Sequence, residues 1–129
     1  MIIVADTSPI NYLTLIQEVD ILPKIYGRVV IPPTVREELV RASAPQLVRS
    51  LINHLPIWLE VRSPLAVPDS SLAKLDAGER DAITLATELH ADRLIVDERE
   101  GRREAERRGI PVIGTLGRCA QTARHSSGR

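Results

Sequence analysis

The chain has 129 residues, the size of one ordinary domain, and its 17 basic and 17 acidic side chains cancel; folding at this size hides roughly two-thirds of the unfolded surface. With 43% apolar and 26% charged residues it is neither disordered nor collagen-like nor a coiled coil, and zero net charge argues against a general polyanion coat. A single cysteine, Cys119, and the lack of any CxxC or HxxxH pair exclude a disulfide scaffold and a structural zinc site.

Tyr12, Tyr26 and Trp58 are the only aromatic residues, so the core is expected to be aliphatic and base stacking has few platforms. The apolar start is too short for a signal peptide, and no run approaches the ~20 residues of a membrane span. The expectation is a cytoplasmic protein without membrane contact. Charge is unevenly spread: residues 1–98 carry 14 acids and 9 bases (9 − 14 = −5), residues 99–129 carry 3 acids and 8 bases (8 − 3 = +5). An acidic body with a basic end suggests a cation site and an anion site on one molecule.

In chain order, Ile2 to Ala5 is a β-favouring run that reads as a buried parallel strand and stops at Asp6. Ser8 followed by Pro9 predicts a helix start with Ser8 as its cap, and Ile10, Leu13 and Ile16 mark one apolar face. Residues 28–31 repeat the strand pattern. Pro32-Pro33 then forces an extended link before Thr34, the expected cap of a helix through Val35, Leu39 and Val40. A helix over 44–54, a weak strand over 57–61 and a proline-marked loop over 62–71 follow. Asp76-Ala77-Gly78-Glu79 has a capping-box arrangement, and the helix it opens turns Ala82, Ile83, Leu85, Ala86 and Leu89 inward. Residues 93–96 predict a strand ending at Asp97, 99–108 a charged helix, 110–113 a strand, and 115–123 a closing helix. Residues 124–129 read as a frayed tail, leaving one domain over 1–123. Strands alternating with helices predict an α/β domain with a mainly parallel central sheet and helices on both faces.

Functional groups of parallel α/β sheets collect at the carboxyl ends of the strands. Asp6 and Asp97 both take that place, and an acid ending a buried strand loses hydration that something must compensate. Each could simply cap the following helix. With Ser8 assigned to the first cap, Asp6 is left over as a ligand, whereas Asp97 could cap the helix near Arg99. With Thr34 as cap, Glu37 completes a capping box and Glu38 is the spare carboxylate; with Asp76 as cap, Glu79 completes the box and Asp81 is unexplained. Four acids without matched bases would repel, a pair ~4 Å apart costing about 4 kcal/mol at an effective dielectric near 20. Raised pKa values or a cation would relieve them, and all-oxygen donors select Mg²⁺ or Mn²⁺ over zinc. His54, His90 and His125 read as surface residues.

Asp6-Thr7-Ser8-Pro9, Pro32 to Leu39, Gly78 to Ile83, Ile95 to Arg99 and Gly109 to Gly117, in that order, resemble the PIN-domain family, most closely the VapC-type toxins and their relatives. No piece is specific alone, but the ordered set spans residues 1–117. The resemblance implies a three-layer α/β/α domain whose acidic pocket binds Mg²⁺ or Mn²⁺ and hydrolyses phosphodiester bonds, usually in RNA. By motif the four acids are Asp6, Glu38, Asp81 and Asp97, the hydroxyl after the first acid is Thr7 or Ser8, and the Gly-Glu before the third acid keeps Glu79 as a supporting group. Relatives continue with a longer terminal helix, whereas here residues 118–121 run into a polar tail.

The implied chemistry is metal-assisted hydrolysis without a covalent intermediate. Asp6, Asp81 and Asp97 would hold the metal; Glu38 would complete the site or orient the attacking water. Arg99, Arg102 and Arg103 are the expected contacts to the RNA backbone, unless Arg102 and Arg103 pair with Glu98, Glu100 or Glu106. A toxin further implies an antitoxin protein partner and a homodimer. Alternatives are a housekeeping RNA-processing nuclease and a non-catalytic binding module on the same fold. Phosphoryl transfer to an aspartate fits less well, since Ser8 stands where such phosphatases place a second Asp and no lysine follows Lys74.

Overall fold

In the computed structural model of the chain, residues 2–41, 43–96 and 99–113 are described, the side chains of 99–101 and 113 excepted. Strand β1 (Ile2–Ala5) lies at the centre of a five-stranded sheet, flanked by β2 (Arg28–Ile31) and β4 (Arg93–Ile95), with β3 (Leu59–Val61) and β5 (Val112–Ile113) outermost. Every pairing among the described residues is parallel, with Val4 facing Val30 on one side and Leu94 on the other. The order β3-β2-β1-β4-β5 means that the chain travels outward twice from β1, in opposite directions.

Side chains alternate across a strand, so each strand feeds two cores. Ile3, Ala5, Val29, Ile31 and Ile95 point to one face, where α1 (Thr7–Leu15), α2 (Ile21–Tyr26), α3 (Pro33–Leu39) and α4 (Gln46–Asn53) cover them. Val4, Val30, Leu94 and Val96 point to the other, under α5 (Ala77–Leu89) and α6 (Arg99–Arg107). Because crossovers between parallel strands keep one hand, reversing the direction of travel after β3 moves the following helices to the opposite face. The three-layer α/β/α class expected from the sequence is the one formed. The interior is aliphatic as expected; Tyr26 is the one aromatic residue that is buried among the described residues.

Several local expectations need correction. Ile16 does not continue the apolar face of α1; it is the residue that ends that helix, and its side chain is exposed. No element was expected between α1 and β2, yet six residues form α2 and bury Leu22 and Tyr26. Six residues are too few to show a helical period, and Pro23 disguises the turn although proline is tolerated where the N–H lacks an intrahelical acceptor. Gly27 ends α2 at φ 88°, a left-handed conformation that glycine adopts without a Cβ clash. A short 3-10 turn (Ser70–Leu72) sits in the stretch read as loop. His54 and His90 are exposed, His90 ending α5 in the left-handed conformation; His125 and the closing helix over 115–123 lie outside the described residues.

Two carboxylates tie the periphery down. Glu88 on α5 accepts the backbone N–H groups of Leu65 and Ala66, at 2.8 Å for each shorter bond, and pins the long loop after β3. Asp69 accepts the backbone N–H of Ser71, while Arg108, just past α6, donates to the Ser71 hydroxyl and lies 3.5 Å from Asp69. The Ser71 N–H and then its hydroxyl hold the Asp69 carboxyl below its ordinary pKa, and Arg108 adds to the effect. No helix is long and apolar enough to cross a membrane among the described residues.

Two outcomes follow from this packing. Ile31→Ala empties a fully buried position of β2 and should cost about 2–5 kcal/mol, read as a lower urea midpoint with unchanged slope. Because the folded pKa of Asp69 is depressed, its contribution is present above the ordinary carboxylate pKa near ~4 and is lost as pH falls through the lowered value. Asp69→Asn should therefore melt slightly below wild type near neutrality, and the gap should close in acid; a gap that widens in acid would contradict this tether.

Candidate active site

Asp6 follows β1 directly and is almost wholly buried. Its N–H donates to Ile95 O of β4 at 3.0 Å, extending the sheet by one bond and fixing Asp6 at the seam where the strand order reverses. In open α/β sheets that seam is where a crevice opens beyond the strand ends. The backbone of Asp6 is extended, at φ −88° and ψ 177°, and its Oδ1 accepts the N–H of Thr7 at 2.7 Å. Asp6 is thus the cap of α1, which corrects the assignment of that role to Ser8. The helix starts at Thr7, so Ser8 and Pro9 occupy its second and third positions, where a missing N–H costs no intrahelical bond. Capping therefore does not leave Asp6 spare, and its functional reading rests on what surrounds it.

Helices α3 and α5 supply the surroundings. Thr34 and Glu38 are four residues apart on α3 and so share a face; Gly78 and Asp81 are three apart on α5 and share another. The faces meet. Thr34 Oγ1 donates to Asp81 Oδ2 at 2.9 Å, while Glu38 Oε1 lies directly over Gly78. The later residue of α3 meets the earlier residue of α5, so the helices run antiparallel at this contact.

A Cβ placed on Gly78 would collide with Glu38 Oε1 and would lie 3.2 Å from Asp6 Oδ1 and 3.4 Å from Thr7 Oγ1. Asp6, Glu38 and Thr7 thus gather around one point on the backbone of α5, which approaches closely only because residue 78 has no side chain. Thr7 Oγ1 donates to Glu38 Oε1 at 3.2 Å and orients that carboxylate from the first residue of α1. Of the two hydroxyls considered from the sequence, Thr7 is the one bonded to an acid, while Ser8 is half-buried one residue along the helix.

The capping boxes expected from the sequence resolve differently. Pro32 occupies the cap of α3 and makes no side-chain bond; the Thr34 hydroxyl expected to cap that helix is turned onto Asp81. Glu37 is exposed, whereas Glu38 is half-buried and lies against Gly78; the capping box that set the two apart in the sequence is not formed. Asp76 does precede α5, but its side chain makes no capping bond, and Glu79 is buried in the first turn.

Asp81 is also less isolated than its sequence context implied. Arg80 Nε lies 3.7 Å from Asp81 Oδ1, so one of the acids read as having no matched base faces a guanidinium. Adjacent residues on a helix do not ordinarily face each other, which is why sequence spacing missed the pair. Asp97 lies outside the described residues; Val96 before it is buried on the α5 side of the sheet. Arg99 starts α6, and its side chain lies outside the described residues. Arg102 is half-buried and Arg103 exposed. Among the described residues neither forms an ion pair, those of this region being Arg107 and Arg108 with Glu104 and Asp69.

Two acids, Asp6 and Glu38, therefore converge at the carboxyl end of the sheet, with Asp81 one turn along α5. Among the described residues no group of three Asp, Glu, His or Cys side chains forms a metal cage by itself. The donors present are hard carboxylate and hydroxyl oxygens, which fit Mg²⁺ or Mn²⁺ in kind. Such a crevice defines a parallel α/β protein with an acidic site at its strand ends.

The sequence matches the DUF3368 family of PIN domains over residues 2–124, and the chain belongs to that family. No curated protein matches it. Among solved structures it is similar to a PilT N-terminus domain protein from the hyperthermophilic archaeon Sulfolobus solfataricus P2, with a TM-score of 0.71 at 19% identity over 95% of this chain and 93% of the other. That likeness shows a shared fold. PIN domains are generally nucleases and typically use divalent metals.

Gly78 is the positioning residue that sequence reasoning left without a role. Alanine is the better helix former by up to about 1 kcal/mol, which offsets part of the cost of moving Glu38 aside, so Gly78→Ala should fold with a melting temperature equal to or slightly below that of wild type. The added methyl must displace Glu38 and break its bond to Thr7, so phosphodiesterase activity should fall at least ~10-fold. Unchanged activity in the folded variant would show that the close approach of α5 is not needed.

Proposed function

We propose that this chain is a divalent-metal-dependent ribonuclease that hydrolyses RNA phosphodiester bonds and serves as the toxin of a VapBC-type pair. The observation that carries the nuclease reading is the convergence of Asp6 and Glu38 on Gly78, with Asp81 beside them, in a PIN-family crevice. Asp6, Asp81 and Asp97 would hold Mg²⁺ or Mn²⁺, which when bound would supply Lewis acidity toward the scissile phosphate. Glu38 accepts the Thr7 hydroxyl through Oε1 and is thereby held in one orientation. From there its carboxylate would take the proton of an attacking water. Buried Asp6 is fixed by its backbone bond to β4, so its carboxylate needs no reorganisation to bind. Arg99, Arg102 and Arg103 would meet the RNA backbone at the start of α6.

A toxin of this kind would be held by an antitoxin and act as a homodimer in the cytoplasm. An outward apolar strip on α1, formed by Tyr12, Leu15 and the terminal Ile16, supports a protein partner, since these residues lie three and four apart and are each more than 40% exposed.

Purified protein should cleave members of an RNA panel in Mn²⁺ or Mg²⁺, and EDTA should abolish cleavage. Asp6→Asn keeps an oxygen to cap α1 but removes the charge, and should lower the rate on the order of 100-fold or more while circular dichroism and melting change little. Cleavage that survives both EDTA and Asp6→Asn would exclude the metal role assigned to these acids.

A further inference from the structure

Arg80 stands where its own helix disfavours a cation. It is the fourth residue of α5, in the first turn, where the helix dipole disfavours positive charge. Among the described residues its Nε, shut away from solvent, makes no hydrogen bond, while the side chain as a whole is 35% exposed. Asp81 Oδ1 lies 3.7 Å from it, within Coulombic reach but too far for a hydrogen bond. A structural ion pair would close that gap, and Asp81 instead takes its short bond from Thr34 through Oδ2. The guanidinium therefore has its Nε buried and part of its surface open to solvent, directly beside an acid of the crevice, and the open part is what a ligand can reach.

The ligand that this geometry suits is an oxyanion with two acceptor oxygens. A guanidinium fork binds phosphate through paired, charge-assisted hydrogen bonds, and a lysine cannot reproduce that geometry. Without a metal bound, Asp6, Glu38 and Asp81 repel a polyanion, and a cation beside them lowers that barrier. We propose that Arg80 is a substrate-binding residue that clamps an RNA backbone phosphate next to Asp81. The proposal rests on the ribonuclease reading given above and adds a contact that the basic residues of α6 do not provide.

Binding of a fluorescent single-stranded RNA oligonucleotide, followed by anisotropy in EDTA across a salt series, tests this without cleavage. Arg80→Gln should weaken binding about 10-fold and make the salt dependence shallower by about 0.7, the increment of one phosphate contact on a single strand. Arg80→Lys should keep the slope and recover only part of the affinity. In Mn²⁺, cleavage by Arg80→Gln should show its loss mainly in KM. Thermal melting of each variant accompanies these measurements. Unchanged affinity and slope in a folded Arg80→Gln protein would overturn the clamp, and a lowered melting temperature with unchanged slope would make Arg80 a counter-ion of Asp81 only. Wild-type protein that cleaves RNA while Arg80→Gln binds it equally well defeats this proposal alone; wild-type protein that neither binds nor cleaves RNA defeats the ribonuclease reading with it.

Discussion

Helix α5 lies against the ends of β1 and α3 at a distance that only a residue without a side chain permits, and the arrangement of the acidic crevice depends on that approach. Glu38 rests on Gly78, and the same point on the backbone neighbours Asp6 and Thr7. One turn further along, Thr34 reaches across to Asp81. With the two helices antiparallel at this contact, a spacing of four on α3 meets a spacing of three on α5. A single docking of two helices thus brings together acids that stand 32, 43 and 75 residues apart in the chain.

The sheet makes that docking reproducible. Alternating side chains of the short parallel strands serve two cores, so α1 to α4 and α5 with α6 are held on opposite faces. Elements from both layers can meet only at the rim, beyond the strand ends. Asp6 is anchored at that rim by its backbone bond to β4, which leaves its carboxylate to cap α1 and border the crevice at the same time. Structural and functional roles are joined here rather than opposed. The sequence argument that a capping residue is thereby unavailable for chemistry fails because a carboxylate has two oxygens and several lone pairs to distribute.

Charge is moderated locally at the crevice as well as balanced over the whole chain. Glu38 is steadied by the Thr7 hydroxyl, and Asp81 by the Thr34 hydroxyl and the nearby Arg80. These neutral and cationic partners moderate the repulsion that the list of acids alone implies. The carboxylate oxygens of the crevice are hard donors, which fit Mg²⁺ or Mn²⁺ in kind. The family membership and the fold agree with this chemistry, and the arrangement accounts for why the acids sit where they do.

Much of the architecture was legible without coordinates. Continuous aliphatic runs at residues 2–5, 29–31 and 94–96 marked buried parallel strands, because strands covered on both faces have no polar side to display. The alternation of strands and helices set the layer class, and acids at abrupt strand ends pointed to the crevice. Pro32 and Asp76 showed where helices begin, while their capping partners were misassigned, since a hydroxyl or carboxylate chooses between its own helix and a neighbouring one only after packing. The six-residue α2 left no period to read. The roles of Thr34 and Gly78, and the choice of Thr7 over Ser8, were decided by tertiary structure alone: each depends on a distance between elements, and spacing along a chain carries no information about how closely two helices will be pressed together.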